Sequence, residues 1–243
     1  MKSINKFQLK YFIIFFLIIG CFSTPKVFFK EPVDTKTKKI SFEKKRVFSF
    51  NESGVYFSNK FEGARLNNVN QLNDSTYILS ILPENKPIND SPYYAFKIWS
   101  SSSKKVLLKF QYPKNFKHRY IPKIKSNGIW KTADSLNFKF DDNLSSLTIK
   151  INDNPKIISG QELHTSSIVY KWVDQLISGK ESYIKFKEIG KTKLNRPFKV
   201  LDIYKGVPKN KPVIVILTRQ HPPEVTGYFA FKVFLNTILK ENK

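Results

Sequence analysis

Short apolar runs separated by turn residues fill the chain from residue 46 to residue 151, and this spacing most constrains its fold. Each run is rich in aromatic or β-branched residues and is bounded by Asn, Asp, Gly, Pro or Ser, as β-strands are. Residues 136–140 and 147–151 alternate with period two around a polar turn, which predicts a hairpin. About seven strands in roughly a hundred residues favour an antiparallel β-sandwich. The predicted strands are residues 47–50, 55–57, 77–81, 93–99, 106–112, 136–140 and 147–151.

The pattern changes near residue 160, where helical spacing begins. The run Thr165-Ser166-Ser167 can cap a helix whose apolar positions are spaced three and four residues apart, namely Ile168, Val169, Trp172, Leu176 and Ile177. Residues 183–189 and 198–203 predict two further strands. The continuous apolar run at residues 212–218 is typical of a central strand that is buried on both faces. Residues 225–240 then return to helical spacing, so this part of the chain predicts an α/β organisation.

The amino terminus has the pattern of an export signal. Three lysines precede the apolar residues 11–19, a stretch that matches a secretory signal at residues 1–20 better than a membrane-spanning helix. Cys21 is the only cysteine, and residues 17–21 resemble a bacterial lipobox, in which the thiol takes up lipid. Cys21 is therefore the predicted lipidation site, with an uncleaved anchor helix as the alternative. Because no second cysteine exists, the exported fold must be stabilised by its core.

The formal net charge of +23 first suggests a nucleic-acid-binding protein. However, only five of the 42 basic residues are arginine, the residue that is favoured for bidentate recognition of bases and phosphates. The lysines are scattered along every segment instead of being gathered on one helix. We therefore expect no nucleic-acid partner, although a basic exterior favours anionic surfaces such as a membrane or a cell-wall polymer.

The clearest candidate for chemistry lies between the apolar run and the last helix. Here His221 and Glu224 are spaced i and i+3, which in a near-helical turn places imidazole and carboxylate on the same side. Both groups are good zinc donors, and ligands collect at the carboxyl ends of strands in open α/β sheets. The alternative is a simple turn, in which the helix dipole stabilises Glu224 without any metal.

At this motif the sequence resembles the M14-type zinc carboxypeptidases, and more closely their cytosolic-carboxypeptidase-like branch. The matching residues are 219–227, preceded by the run at 213–217, and residues 189–203 look like the early strand pair of that family. The family's usual Ser and turn Gly are replaced here by Thr192 and by Leu194-Asn195. The branch also carries a β-sandwich ahead of its peptidase domain, and its recurring segments are similar to residues 61–66, 93–98, 118–120 and 128–130.

The resemblance implies a hydrolase that removes residues from peptide C-termini and uses Zn²⁺ as its cofactor. His221 and Glu224 would be the first and second zinc ligands. The family's third ligand, its general-base Glu and its carboxylate-binding Arg lie far downstream of this motif, so we expect them beyond residue 243 and assign no catalytic residue here. The expectation is an N-terminal fragment that is inactive alone.

The sequence thus predicts an α+β protein with four parts. These are a lipoprotein-type signal peptide (1–20), a tether (21–45), a β-sandwich accessory domain (46–158) and the first part of an M14-like peptidase domain (159–243). The expected partners are peptide or protein C-termini, including those of cell-wall peptide, and a membrane reached through the lipid anchor. The expected location is the cell envelope or periplasm. The rival hypothesis is a non-catalytic exported lipoprotein whose sandwich binds glycan or a protein partner.

Two further groups of residues have structural interpretations. His118 and His164 lie outside the motif and are predicted to be surface or structural histidines. Four aromatic residues could form a sugar-stacking face, but such residues in strand-rich domains are more often core. They are Tyr93, Tyr94, Trp99 and Trp130.

Overall fold

The computed structural model describes residues 42–83, 93–141, 144–192, 194–207 and 211–240. The predicted signal peptide, Cys21 and nearly all of the predicted tether lie outside these residues. Within them the protein is mostly β with two helices. No helix among the residues described is both long and apolar enough to cross a membrane.

Most strands belong to two large sheets that are formed before residue 160. One sheet has six strands in the order β1-β2-β5-β11-β7-β8, and the other has five in the order β3-β4-β6-β10-β9. The neighbours pair antiparallel except for β4 and β6, which are parallel. The strands are β1 (Val47–Phe50), β2 (Val55–Ser58), β3 (Asn68–Asn73), β4 (Thr76–Ser80), β5 (Ala95–Ser100), β6 (Lys104–Gln111), β7 (Lys123–Ser126), β8 (Ile129–Thr132), β9 (Phe138–Lys139), β10 (Ser146–Ile151) and β11 (Lys156–Ser159).

The two large sheets contribute to one buried apolar cluster. Alternate residues of several strands belong to this cluster, as in β6, where Val106, Leu108 and Phe110 are buried between more exposed neighbours. The predicted hairpin is confirmed, because β9 pairs antiparallel with β10, although β9 has only two residues. Several aromatic rings fill the cluster, including Phe57, Tyr77, Tyr94, Phe96 and Phe110.

A smaller unit follows residue 165. It consists of α1 (Ser166–Ile177), the hairpin β12 (Ile184–Lys191) and β13 (Pro197–Ile203), and α2 (Val225–Lys240). Thr165 occupies the N-cap position of α1, as predicted, but its side chain makes no capping hydrogen bond. Side chains of both helices and both strands share a second apolar cluster, whose buried members are Leu176, Ile184, Leu235 and Leu239.

The apolar run at residues 212–218 differs from the prediction. It lies in no strand, and Val213, Ile214 and Leu217 are 85%, 86% and 72% exposed. The predicted central strand that is buried on both faces is therefore wrong for this structure. The physical reason is that a strand needs partners for its backbone groups. Among the residues described, β12 and β13 pair only with each other and none pairs with this run.

Candidate metal centre

The candidate ligands lie in the turn that leads into α2. Glu224 immediately precedes Val225, the first residue of the helix. The backbone N–H of Glu224 donates to the carbonyl oxygen of His221 across 3.2 Å. The backbone N–H of Val225 donates to the carbonyl oxygen of Pro223 at 2.9 Å. Two consecutive prolines limit the backbone of this turn, since each fixes its own φ. The sequence thus folds locally into a stiff turn with His221 at one end and Glu224 at the other.

The two side chains face each other. Nδ1 of His221 lies 2.6 Å from Oε1 of Glu224, and the backbone N–H of His221 donates to Oε2 of the same carboxylate across 3.1 Å. Because an ionised carboxylate only accepts, Nδ1 carries the proton in this contact. The spacing of three residues therefore brings the imidazole and the carboxylate together, as the sequence predicted.

The carboxylate of Glu224 is held in its ionised form. Its pKa is lowered, first because the His221 side chain hydrogen-bonds to it and second because the His221 backbone does so as well. The position next to the N-terminus of a helix also favours negative charge. The side chains of His221 and Glu224 are 63% and 50% exposed, so an ion from solvent can reach both.

The donor chemistry of this pair fits zinc as part of a site. Zinc in proteins takes imidazole nitrogen and carboxylate oxygen, and catalytic zinc has three protein ligands together with an open position. Zinc binding would replace the proton on His221 Nδ1, so that the pair presents one nitrogen and one oxygen donor at the same point. Within the described residues no group of three or more His, Cys, Asp and Glu side chains could hold a metal ion. The pair therefore fits as two ligands and does not form a complete site there.

His118 has a structural role, in agreement with the sequence. It is 2% exposed and lies among the rings of Tyr94, Phe110 and Phe138. Its Nε2 lies 2.6 Å from the carbonyl oxygen of Tyr120. Burial lowers the pKa of His118 to about 4, so the ring is neutral at pH 7. His118 is thus a structural residue of the core and is not a candidate zinc ligand.

His164 is closer to the motif than the sequence indicated. It precedes α1, but its ring packs against Tyr228 and Phe229 of α2, at centroid distances of 5.2 and 4.9 Å. Burial and, to a smaller extent, the positive charge of Arg219 lower its pKa to about 4. Both ring nitrogens are buried and have no hydrogen-bond partner among the described residues. Its ring therefore serves packing in this structure, as expected for a structural histidine.

The aromatic residues do not form a common sugar-stacking face. Tyr93 and Tyr94 are 8% and 0% exposed, so both belong to the core. Trp99 stacks on Tyr56 across a centroid distance of 5.5 Å, and Trp130 packs against the cluster that contains Tyr93. The preference for core over a binding face is thereby confirmed for the two tyrosines.

Arg219 is the functional candidate that the sequence analysis did not single out. Its backbone has φ of 50° and its side chain reaches both the motif and the loop before α1. Its position next to Gln220-His221 was visible in the sequence. Its left-handed conformation was not, because the residues that normally signal this conformation are Gly, Asn and Asp.

Comparison with known proteins finds a family that is similar to the segment containing this geometry. The model of the zinc carboxypeptidase family, M14, matches residues 169–243, a range that contains both His221 and Glu224. This segment is similar to the zinc carboxypeptidases. The resemblance of the motif to M14-type zinc carboxypeptidases is thus confirmed, whereas the cytosolic-like branch stays a prediction. Comparison with curated proteins found no match.

Solved structures share the fold of this chain over more than the matched segment. A metallo-carboxypeptidase from Burkholderia cenocepacia has a TM-score of 0.59 at 13% identity, with 73% of this chain and 47% of that chain covered. Proteins assigned as carboxypeptidases from Burkholderia mallei and Shewanella denitrificans also reach 0.59, at 12% and 15% identity. They cover 74% of this chain, and 46% and 48% of their own chains are matched. The chain therefore spans about half the length of these structures, and the shared fold extends beyond the family segment.

Proposed function

We propose that this chain carries part of a zinc-dependent carboxypeptidase, in which His221 and Glu224 are two of the zinc ligands. The observation that carries the proposal is the 2.6 Å approach of His221 Nδ1 to Glu224 Oε1 within a segment that the zinc carboxypeptidase family model matches. The proposed reaction is hydrolysis of the last peptide bond of a peptide or protein. Cell-wall peptide is included in this substrate class, and the basic surface favours such anionic polymers.

The residues present have defined tasks in this proposal. Zinc, when bound, supplies Lewis acidity that polarises water and the scissile carbonyl group. His221 and Glu224 bind the metal, and the Pro222-Pro223 turn keeps their donor atoms on the same side. The hydrogen bond from the His221 backbone N–H orients the carboxylate through its second oxygen. No described residue is assigned as a third ligand or as a general base.

We further propose that the two large sheets form an accessory β-sandwich ahead of the peptidase segment. Its support is the shared apolar cluster between the sheets and the likeness to carboxypeptidase structures, which extends beyond residues 169–243. The proposed peptidase segment has an α/β organisation, in which the hairpin β12–β13 and helix α2 share an apolar cluster.

The proposed location is the cell envelope, with a lipid on Cys21. Its support is the sequence alone, namely the apolar run at residues 11–19 and the single cysteine that follows Gly20. Mass spectrometry of the mature protein tests it, since Cys21→Ser should abolish an acyl adduct at the mature amino terminus. An unmodified Cys21 inside an uncleaved leader would contradict the lipid anchor and leave the metal proposal unaffected.

Zinc binding by the whole chain tests the metal centre. We expect His221→Ala and Glu224→Gln each to weaken zinc affinity by about tenfold or more, because each removes a ligand. The matched control is Glu188→Gln, which neutralises an exposed carboxylate on β12, away from the turn. Equal zinc affinity in His221→Ala, Glu224→Gln and the unaltered chain would overturn the ligand assignment. It would leave the rival, a non-catalytic lipoprotein, as the better description.

A further inference from the structure

Arg219 has an unusual backbone conformation for its residue type. Four non-glycine residues in the described part of the chain have positive φ, and three of them are asparagines that tolerate this region. Arg219, with φ of 50°, is the fourth. For a residue with a long side chain the left-handed region costs about 1–2 kcal/mol. Such a conformation persists only where surrounding contacts stabilise it.

The guanidinium of Arg219 makes contacts that can do so. Its Nη1 donates to the carbonyl oxygen of His164, in the connector between β11 and α1. Its Nη2 donates to the carbonyl oxygen of Pro222 across 3.3 Å. Pro222 lies between the two candidate zinc ligands. One side chain thus joins the ligand turn to a connector that precedes it by 55 residues.

The surroundings of Arg219 favour this bridge over an ion pair. The side chain is partly buried, and no described Asp or Glu forms a salt bridge with it. Its Nε is buried without a partner among the described residues, so the bridge depends on the two terminal nitrogens. The His164 ring beside it has a pKa lowered to about 4 and is therefore neutral at pH 7, so it does not repel the guanidinium.

We propose that Arg219 is a positioning residue, which holds the turn from His221 to Glu224 in the conformation where Nδ1 and Oε1 meet. It does so by tying the carbonyl of Pro222 to the carbonyl of His164. Its task at a zinc site rests on the proposed function, but its effect on the turn does not. The loop before α1 then supports the ligand turn without contacting the metal.

Two substitutions in the whole chain separate the side chain from the backbone. Arg219→Gly adopts positive φ at little steric cost, so its effect combines the loss of the guanidinium with the added backbone freedom of glycine. Arg219→Lys keeps the charge but cannot donate to two carbonyls from one rigid fork. The control is Arg119→Lys, an exposed arginine that lies over the ring of Tyr120. The readouts are amide hydrogen exchange of a peptide spanning residues 218–226 without metal, and zinc affinity.

We expect Arg219→Gly to speed exchange of the His221 and Glu224 amides by about fivefold or more. Both amides donate within the turn, so they report its order directly. Exchange in β6 should stay unchanged, and zinc affinity should fall by about tenfold. Arg219→Lys should give exchange rates and a zinc affinity between those of Arg219→Gly and the unaltered chain. Arg119→Lys should change neither quantity. Unchanged exchange of the turn in Arg219→Gly would overturn the proposal.

The remaining outcomes are also decisive. If Arg219→Gly speeds exchange in β6 as well, the fold itself has loosened, and Arg219→Lys becomes the test. Faster exchange confined to the turn in Arg219→Lys then supports the positioning role, and unchanged exchange overturns it. If the turn loosens as expected but the unaltered chain binds no zinc, the metal proposal fails and the positioning role stands. If the unaltered chain, Arg219→Gly and Arg219→Lys bind zinc equally, the metal proposal stands and the task of Arg219 at the zinc site fails.

Discussion

The hydroxyl group of Tyr112, a member of the apolar cluster that the two large sheets share, lies 2.8 Å from Nδ1 of His118. Nε2 of the same ring faces the carbonyl oxygen of Tyr120, which only accepts, so Nε2 carries the proton. Nδ1 is therefore the acceptor and the Tyr112 hydroxyl is the donor. Burial raises the pKa of Tyr112, which keeps this hydroxyl protonated. The ring is thus held neutral, with both nitrogens paired.

Burial of His118 should make the free energy of unfolding depend on pH. The pKa of His118 is about 4 in the folded protein, against about 6.5 in an unfolded chain. Between these values the unfolded state binds more protons, so the free energy of unfolding should rise from pH 4 to pH 6.5 by on the order of 2 kcal/mol. Urea unfolding across this range measures it, with His118→Gln expected to flatten the curve. An equally steep curve in His118→Gln would show that His118 is not the cause.

Loss of the Tyr112 hydroxyl should destabilise the protein. Tyr112→Phe leaves Nδ1 of His118 buried without a donor, which costs about 1–3 kcal/mol. The control is Tyr56→Phe, because the Tyr56 ring stacks on Trp99 and its hydroxyl makes no hydrogen bond with the described residues. Denaturant unfolding compares the two variants. Equal free energies of unfolding for both would contradict the donor role of Tyr112.

The position of the core can be tested with two leucines. Leu108 on β6 is 0% exposed, whereas Leu136 is 89% exposed. Leu108→Ala should lower the free energy of unfolding by about 2–5 kcal/mol, because it removes buried methyl groups and leaves a cavity. Leu136→Ala should change it by less than about 0.5 kcal/mol. A large loss in Leu136→Ala would mean that this side chain is covered in solution.

The exposed run at residues 212–218 should promote self-association of this chain. Adjacent exposed apolar residues form a hydrophobic patch that favours association between molecules. In this run Ile214 and Val215 are 86% and 75% exposed. Replacing both by lysine should lower association in sedimentation velocity. It should leave the free energy of unfolding within about 0.5 kcal/mol. A loss of several kcal/mol would show instead that the run is buried in solution.

The helices and strands that were predicted well have a regular spacing of apolar residues within their own sequence. Helix α2 has the predicted bounds, Val225–Lys240, and strand β1 also matches. Strand β3 was missed, because its sequence is polar and only Val69 is buried. This edge strand is defined by hydrogen bonds to β4, which local sequence does not reveal. The prediction of a strand at residues 212–218 was wrong because it relied on apolar residues alone. An apolar run without neighbouring strands to pair with does not form a strand.

The sequence by itself determined the spacing that brings His221 and Glu224 together, because side chains three residues apart in a tight turn share one side. It also determined the helix that follows, through its apolar periodicity. Only the tertiary structure decided that His118 is enclosed by aromatic rings and that Arg219 reaches the carbonyl of His164. Contacts between segments that are distant in sequence depend on how the sheets and helices pack, and no local pattern of residues encodes that packing.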